Sequence, residues 1–139
     1  MSELDQVERF IFDRLTAWAP LDALVGDRIH NSLAPQGEPF PYVIYSPPGI
    51  TPDARGIGTT NLQSSGLWTV KAVDESTSYA TVELITQAIH AALHGERDPA
   101  GPVLACVREG IISYPEDTDG RSYRHRGGQY RIVVASTSP

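Results

Sequence analysis

The sequence predicts an α+β domain, a mostly antiparallel sheet of about four to five strands packed against an N-terminal helix and one central helix. Three observations predict it. Apolar residues recur at helical spacing near the start (Leu4, Val7, Ile11, Leu15, Trp18) and again in the middle (Val82, Ile85, Ile89, Ala92, Leu93), the period that keeps one helix face against a core. Short β-branched and aromatic runs with two-residue alternation, such as Trp68, Val70 and Ala72, lie between and after them, which marks half-buried strands. The chain has 139 residues, 40% hydrophobic and 20% charged, a length and composition that fit one domain with one core.

The first helix has Glu3, Asp5, Arg9 and Asp13 on faces away from its apolar stripe and Ser2 as its N-cap. Phe10 and Phe12 widen the apolar surface beyond one stripe, so this helix is expected to touch several neighbours or an interface. Pro20 ends or kinks it, and Leu21 to Val25 form a further short turn closed by Gly26. The proline-rich stretch from Leu33 to Pro41 reads as extended backbone with turns, and Tyr42-Val43-Ile44-Tyr45 as a strand. From Ser46 to about Ser65 there is no periodicity, and Pro47, Pro48, Gly49, Pro52, Gly56 and Gly58 interrupt the run. A loop of that length inside a domain is either a surface excursion or an arm that orders against a neighbour.

Gly66 to Val73 reads as a strand that pairs antiparallel with Tyr42–Tyr45. Asp74 to Ser78 supplies turn and capping residues, Tyr79 to His94 a helix, and Gly95 its left-handed C-terminal cap. Pro102 to Tyr114 reads as one strand or two with a break near Gly110, Pro115 to Gly120 as a polar turn, and Ser122 to Ala135 as the last strand. Within it Tyr130, Ile132 and Val134 alternate with Arg131 and Val133, and Gly127-Gly128 marks a bulge or a close backbone approach.

Composition excludes several functions. No apolar stretch approaches the roughly 18 residues of a membrane span, and the first residues lack the basic and apolar regions of a signal peptide. No membrane partner is expected. A formal net charge of -6 argues against a general polyanion binder, although Arg108, Arg121, Arg124, Arg126 and Arg131 concentrate late in the chain. Cys106 is the single cysteine, so no internal disulfide can form, and its apolar flanks give it the setting of a core thiol.

The constellations that could carry chemistry are incomplete. His90 and His94 stand four residues apart on one helical face, a metal-ligand spacing, yet Ala91 occupies the place of a zinc protease's glutamate and no third ligand follows. They read as solvent-facing histidines near a helix C-terminus. Gln63-Ser64-Ser65-Gly66 is not a nucleophile elbow, and Gly56-Ile57-Gly58 forms neither a phosphate loop nor a dinucleotide turn. Glu116, Asp117 and Asp119 lack the alternation of a calcium loop. The sequence therefore predicts no catalytic residue, no metal and no cofactor. Arg121, Arg124 and Arg126 beside Tyr123 read either as a charged strand edge or as a surface for acidic partner groups or passing DNA.

Leu21 to Ile29, then Ala34-Pro35-Gln36-Gly37, then Phe40-Pro41-Tyr42-Val43-Ile44-Tyr45 resemble, in order and spacing, the tail-completion proteins of tailed phages. These are the tail terminators of long-tailed phages and the related proteins of prophages and gene-transfer agents. The helix from Tyr79 and the C-terminal sheet fit the same plan, so the resemblance spans nearly the whole chain. It implies a non-enzymatic virion protein that forms a ring, expected to be a hexamer, on the head-proximal end of the tail tube. Such a ring stops tail polymerisation and joins the tail to the head connector or stopper protein. The other partners it implies are the tail tube protein and DNA only as it passes through the channel, with assembly in the host cytoplasm. In that setting the expected contacts are Phe10 and Phe12 of the first helix, Thr51, Arg55, Thr59 and Thr60 of the long loop, and Arg121, Arg124 and Arg126. Alternative readings are a head-completion or neck protein, a binding module unrelated to phages, and a metal hydrolase built on His90 and His94.

Overall fold

The computed structural model describes residues 3–48, 63–98 and 101–135. Its elements, in order, are α1 (Glu3–Thr16), α2 (Ala19–Val25), β1 (Ile29–Asn31), β2 (Tyr42–Ser46), β3 (Gln63–Glu75), α3 (Ala80–Leu93), β4 (Val103–Thr118) and β5 (Arg121–Ala135). The strands form one sheet in the order β1-β2-β3-β5-β4. Every neighbouring pair is antiparallel except β1 with β2. This is the α+β architecture that the sequence predicts.

The three helices form one layer on one face of the sheet. Val7, Phe10, Ile11 and Leu15 of α1, Leu21 and Val25 of α2, and Val82, Ile85, Ile89, Ala92 and Leu93 of α3 meet Val43, Trp68, Val70, Ala72, Tyr130, Ile132 and Val134 of the sheet in a single buried cluster. The strand residues belong to alternate positions, so strand parity decides which side chains leave water, and hydrophobic burial holds the layers together. Cys106 lies in the same cluster, fully buried. Burial pushes its thiol up to about 12. The thiol is thus an inert core group, as its apolar flanks predict.

Local chemistry sets the element ends. Pro20 stands in the first turn of α2, and Gly26 closes it with φ 60 while its N–H donates to the Asp22 carbonyl. Trp18, expected to continue the α1 stripe, instead precedes α2 as its N-cap because α1 stops at Thr16. Ser78 Oγ accepts the Ala80 N–H at 3.1 Å at the start of α3, and Gly95 takes φ 80 beyond its end. The Arg14 guanidinium reaches the Ala92 carbonyl at 3.3 Å and Glu96 at 3.1 Å. It anchors α1 to the C-terminal end of α3, where helix carbonyls favour positive charge.

The strands run longer than the sequence predicts, with β3 reaching Glu75, and the alternatives left open at Gly110 and Gly127-Gly128 are settled. The irregular stretch ends earlier than expected, because β3 begins at Gln63 and pairs from there with Ala135; residues 49–62 lie outside the described residues. The stretch Pro115 to Thr118, expected as a polar turn, continues β4 because β5 offers it partners down to Thr118 opposite Arg121. The turn contracts to Asp119 and Gly120, which take φ 53 and φ 76. The break near Gly110 is a bulge inside one strand, where Glu109 is the extra residue between Arg108 opposite Tyr130 and Gly110 opposite Gln129. Gly127-Gly128 proves to be a close approach with continuous pairing: a Cβ on Gly127 would lie 2.1 Å from the Val70 carbonyl oxygen.

Candidate functional site

Two side-chain clusters stand around β5, one on each face of the sheet. On the helix-covered face, alternation along β5 aims Arg124 and Arg126 at α3. The Arg126 guanidinium lies 4.3 Å from the Tyr79 ring centre, donates Nη1–H to Glu83 Oε1 at 2.9 Å and Nε–H to Ser113 Oγ at 3.0 Å. Arg124 lies 5.4 Å from the same ring and donates to the carbonyls of Tyr123 and Thr77 at 3.1 and 3.2 Å. Hydrogen bonds from Gln87 and Arg126 hold the Glu83 carboxyl below the usual carboxylate range. These contacts brace α3 against β5 and β4.

On the opposite face, Phe40, Tyr42 and Tyr123 gather their rings. The Phe40 centre lies 5.2 Å from that of Tyr42 and 5.4 Å from that of Tyr123. With Val73, Glu116, Thr118 and His125 they line an open pocket of about 240 Å³. Register brings them together: Tyr42 pairs with Val73, Val73 with His125, and Tyr123 with Glu116. His125 is 7% exposed, and its Nε2 meets Glu116 Oε1 at 2.7 Å. Burial lowers its pKa against the opposing pull of Glu116, so the ring is neutral at pH 7 and donates Nε2–H to a carboxylate. That bond holds Glu116 below the usual carboxylate range. Tyr114 stacks on His125 at 4.4 Å and accepts a hydrogen bond from Lys71 Nζ at 2.6 Å.

The residues expected at interfaces are not gathered in one place. Phe10 is 7% exposed and belongs to the core, whereas Phe12 on the outer side of α1 is 42% exposed. The difference is angular: Phe10 lies within reach of the Val7–Ile11 stripe, and Phe12 lies beyond it. Arg121, at the hairpin end, is 65% exposed with Glu75 at 3.7 Å. It is the most outward of the three clustered arginines, because Arg124 and Arg126 are turned toward Tyr79. Thr51, Arg55, Thr59 and Thr60 lie outside the described residues. The sequence reading missed the pocket, although Phe40-Pro41-Tyr42 and the alternation of Tyr123 with His125 held its residues; strand register, which joins them, was not legible.

The expected solvent-facing histidines are only partly so. His90 and His94 stack at 4.5 Å, His94 Nδ1 accepts the Arg108 backbone N–H at 3.1 Å, and His90 Nδ1 is shut away from water. Burial first, then Arg108 and His94, lowers the His90 pKa. Among the described residues no group of three or more His, Cys, Asp or Glu is placed to hold a metal ion, and no helix is long and apolar enough to cross a membrane.

A family model described as "Tail completion protein gp17" matches residues 9–135. Among solved structures, a chain of the "Virion of native gene transfer agent (GTA) particle" superposes with TM-score 0.71 at 19% identity, covering 91% of this chain and 92% of that one. A second solved chain superposes with TM-score 0.59 at 14% identity, covering 99% and 98%. At such identities the likeness is one of fold. No curated protein matches the sequence.

Proposed function

Because this chain belongs to the tail completion protein gp17 family, whose model spans residues 9–135, we propose that it is a structural virion protein closing the head-proximal end of a phage tail. Copies join in a ring, hexameric in this reading, that caps the tail tube, stops its polymerisation and presents its other side to the head connector. The family match is the observation that carries the reading, and the fold shared with a gene transfer agent virion chain supports it. Function then rests on complementary surfaces in place of bond-making chemistry. A ring arises when one patch of a subunit binds a different patch of the next and the rotation closes.

Within this reading the outer side of α1 around Phe12, together with Thr51, Arg55, Thr59 and Thr60, contacts neighbouring subunits or the tube. Arg121 belongs to the channel or connector side, with Arg124 and Arg126 behind it. DNA meets the protein only while passing through the ring, in keeping with a net charge of -6. The protein acts in the virion after assembly in the host cytoplasm.

Electron microscopy of particles assembled without this protein tests the proposal. Overlong tails without heads are the expected result. Tails of normal length beside unfilled or leaking heads would instead make it a neck component, and normal infectious particles would defeat both readings. Removing residues Thr51–Thr60 is expected to reproduce the tail defect if that segment supplies contacts.

A further inference from the structure

The open-face pocket has the chemistry of a site for a cation. It is lined by the rings of Phe40, Tyr42 and Tyr123 and by the Glu116 carboxylate, whose side chain is 48% exposed. Aromatic faces attract a cation through their quadrupole, and a carboxylate beside them adds a charged acceptor. Glu116 stays ionised through the His125 bond, and each of its oxygens keeps a lone pair: Oε1 accepts from His125, and Oε2 accepts from Thr118 Oγ1 at 3.2 Å.

Two carboxylates bear on the pocket, with Lys71 as the opposing ammonium. Glu116 and Glu38 both act on the Tyr42 hydroxyl, which burial foremost raises above its ordinary value. Glu38 itself pairs with His30. The nearest ammonium, Lys71, is tied to Tyr114 and is not part of the pocket lining. No cation of this chain fills the site among the described residues. A pocket of about 240 Å³ has room for one long side chain.

We propose that the pocket lined by Phe40, Tyr42, Tyr123 and Glu116 receives an arginine side chain of a neighbouring protein, the guanidinium stacking on the rings and hydrogen-bonding to Glu116. Arginine fits better than lysine because its planar head can stack and present paired donors at once. The identity of the neighbour as a tail component rests on the proposed function; the chemistry of the pocket does not. A pocket that captures one long side chain gives a docking surface a defined register, since buried anchors concentrate binding energy.

The test is a titration of the full chain with acetyl-Gly-Arg-Gly-amide, followed by NMR chemical shifts, against the citrulline counterpart of the same shape without the charge. Saturable shifts centred on Tyr42, Glu116 and Tyr123 with the arginine peptide alone are expected. Glu116→Gln keeps an acceptor for His125 and should fold normally, yet weaken the arginine peptide roughly tenfold. Tyr123→Leu, checked for an unchanged fold by its spectrum, should weaken it further. Equal binding of citrulline, shifts centred elsewhere, no saturable shift, or indifference to Glu116→Gln would each overturn the proposal. These results leave the tail reading untouched, because that reading is decided by the morphology of particles lacking the protein.

Discussion

Gly127 is forced by backbone, since a methyl group would meet the Val70 carbonyl oxygen at 2.1 Å and Lys71 Cα at 2.4 Å. At Gly128 a methyl group would meet side chains only, the Arg108 Cδ at 2.9 Å, which can move, and the buried Tyr130 ring at 3.1 Å. Gly127→Ala should therefore cost about 3 kcal/mol and Gly128→Ala about 1, read from urea midpoints. The unmodified protein should show no thiol reaction until it unfolds, because Cys106 is fully buried with its thiol at about 12. Acid sensitivity follows from residues whose protons differ between states. His90 and His125 are held below 6.5 by burial, so the unfolded chain binds more protons in the window just beneath that value. Their contribution is complete above pH 6.5 and is lost as pH falls through that window. Glu83 and Glu116, held below 4.5 by hydrogen bonds, lose theirs as pH falls beneath 4.5. Stability should decline in two stages, and His90→Gln should reduce the first, leaving the His125 part of it and the whole of the second. The burial of Cys106 was legible from its apolar flanks. That of His125 was not, because its cover, Tyr114, arrives from another strand.

At the scale of elements, the helices were legible because an amphipathic stripe is local information. Strand ends were less so, because pairing overrides propensity. Pro115 to Thr118 look like a turn by composition, and only β5 opposite them makes them a strand. The Arg-rich start of β5 shows the same limit: charge was visible, but not that Arg126 would lie over Tyr79 and join α3 to β4. Arg126→Ala should cost about 1 kcal/mol, the partly exposed ion pair contributing little and the ring contact the rest. Arg126→Lys should recover only part of it, since an ammonium cannot reach both Glu83 and Ser113 with planar donors. A surface test by charge reversal therefore belongs at Arg121, where Arg121→Glu should leave thermal stability within about 0.5 kcal/mol while weakening tail joining if this end meets the connector.

For the whole molecule, order along the chain was enough to predict the α+β class, whereas strand order and the grouping of the open-face pocket required three dimensions. The two sheet edges are unequal. β1 has three residues and β4 has sixteen; the first part of the β4 edge is partly covered, since the Val103 and Cys106 carbonyls accept from Asp98 and Gly95 and the Arg108 N–H donates to His94, so its longer open stretch lies beyond Arg108. Such asymmetry is compatible with a head-to-tail ring, and sedimentation over a range of protein concentrations should show mass growing toward a closed species without a stable two-fold dimer. The place of β5 has a consequence during synthesis. It lies between β3 and β4 in space but follows both in sequence, so the sheet stays in two unjoined parts while the ribosome is still making that strand. Under the proposed ring, a nascent chain thus lacks the finished surface for recognising other copies, and the topology itself would disfavour premature polymerisation on polysomes.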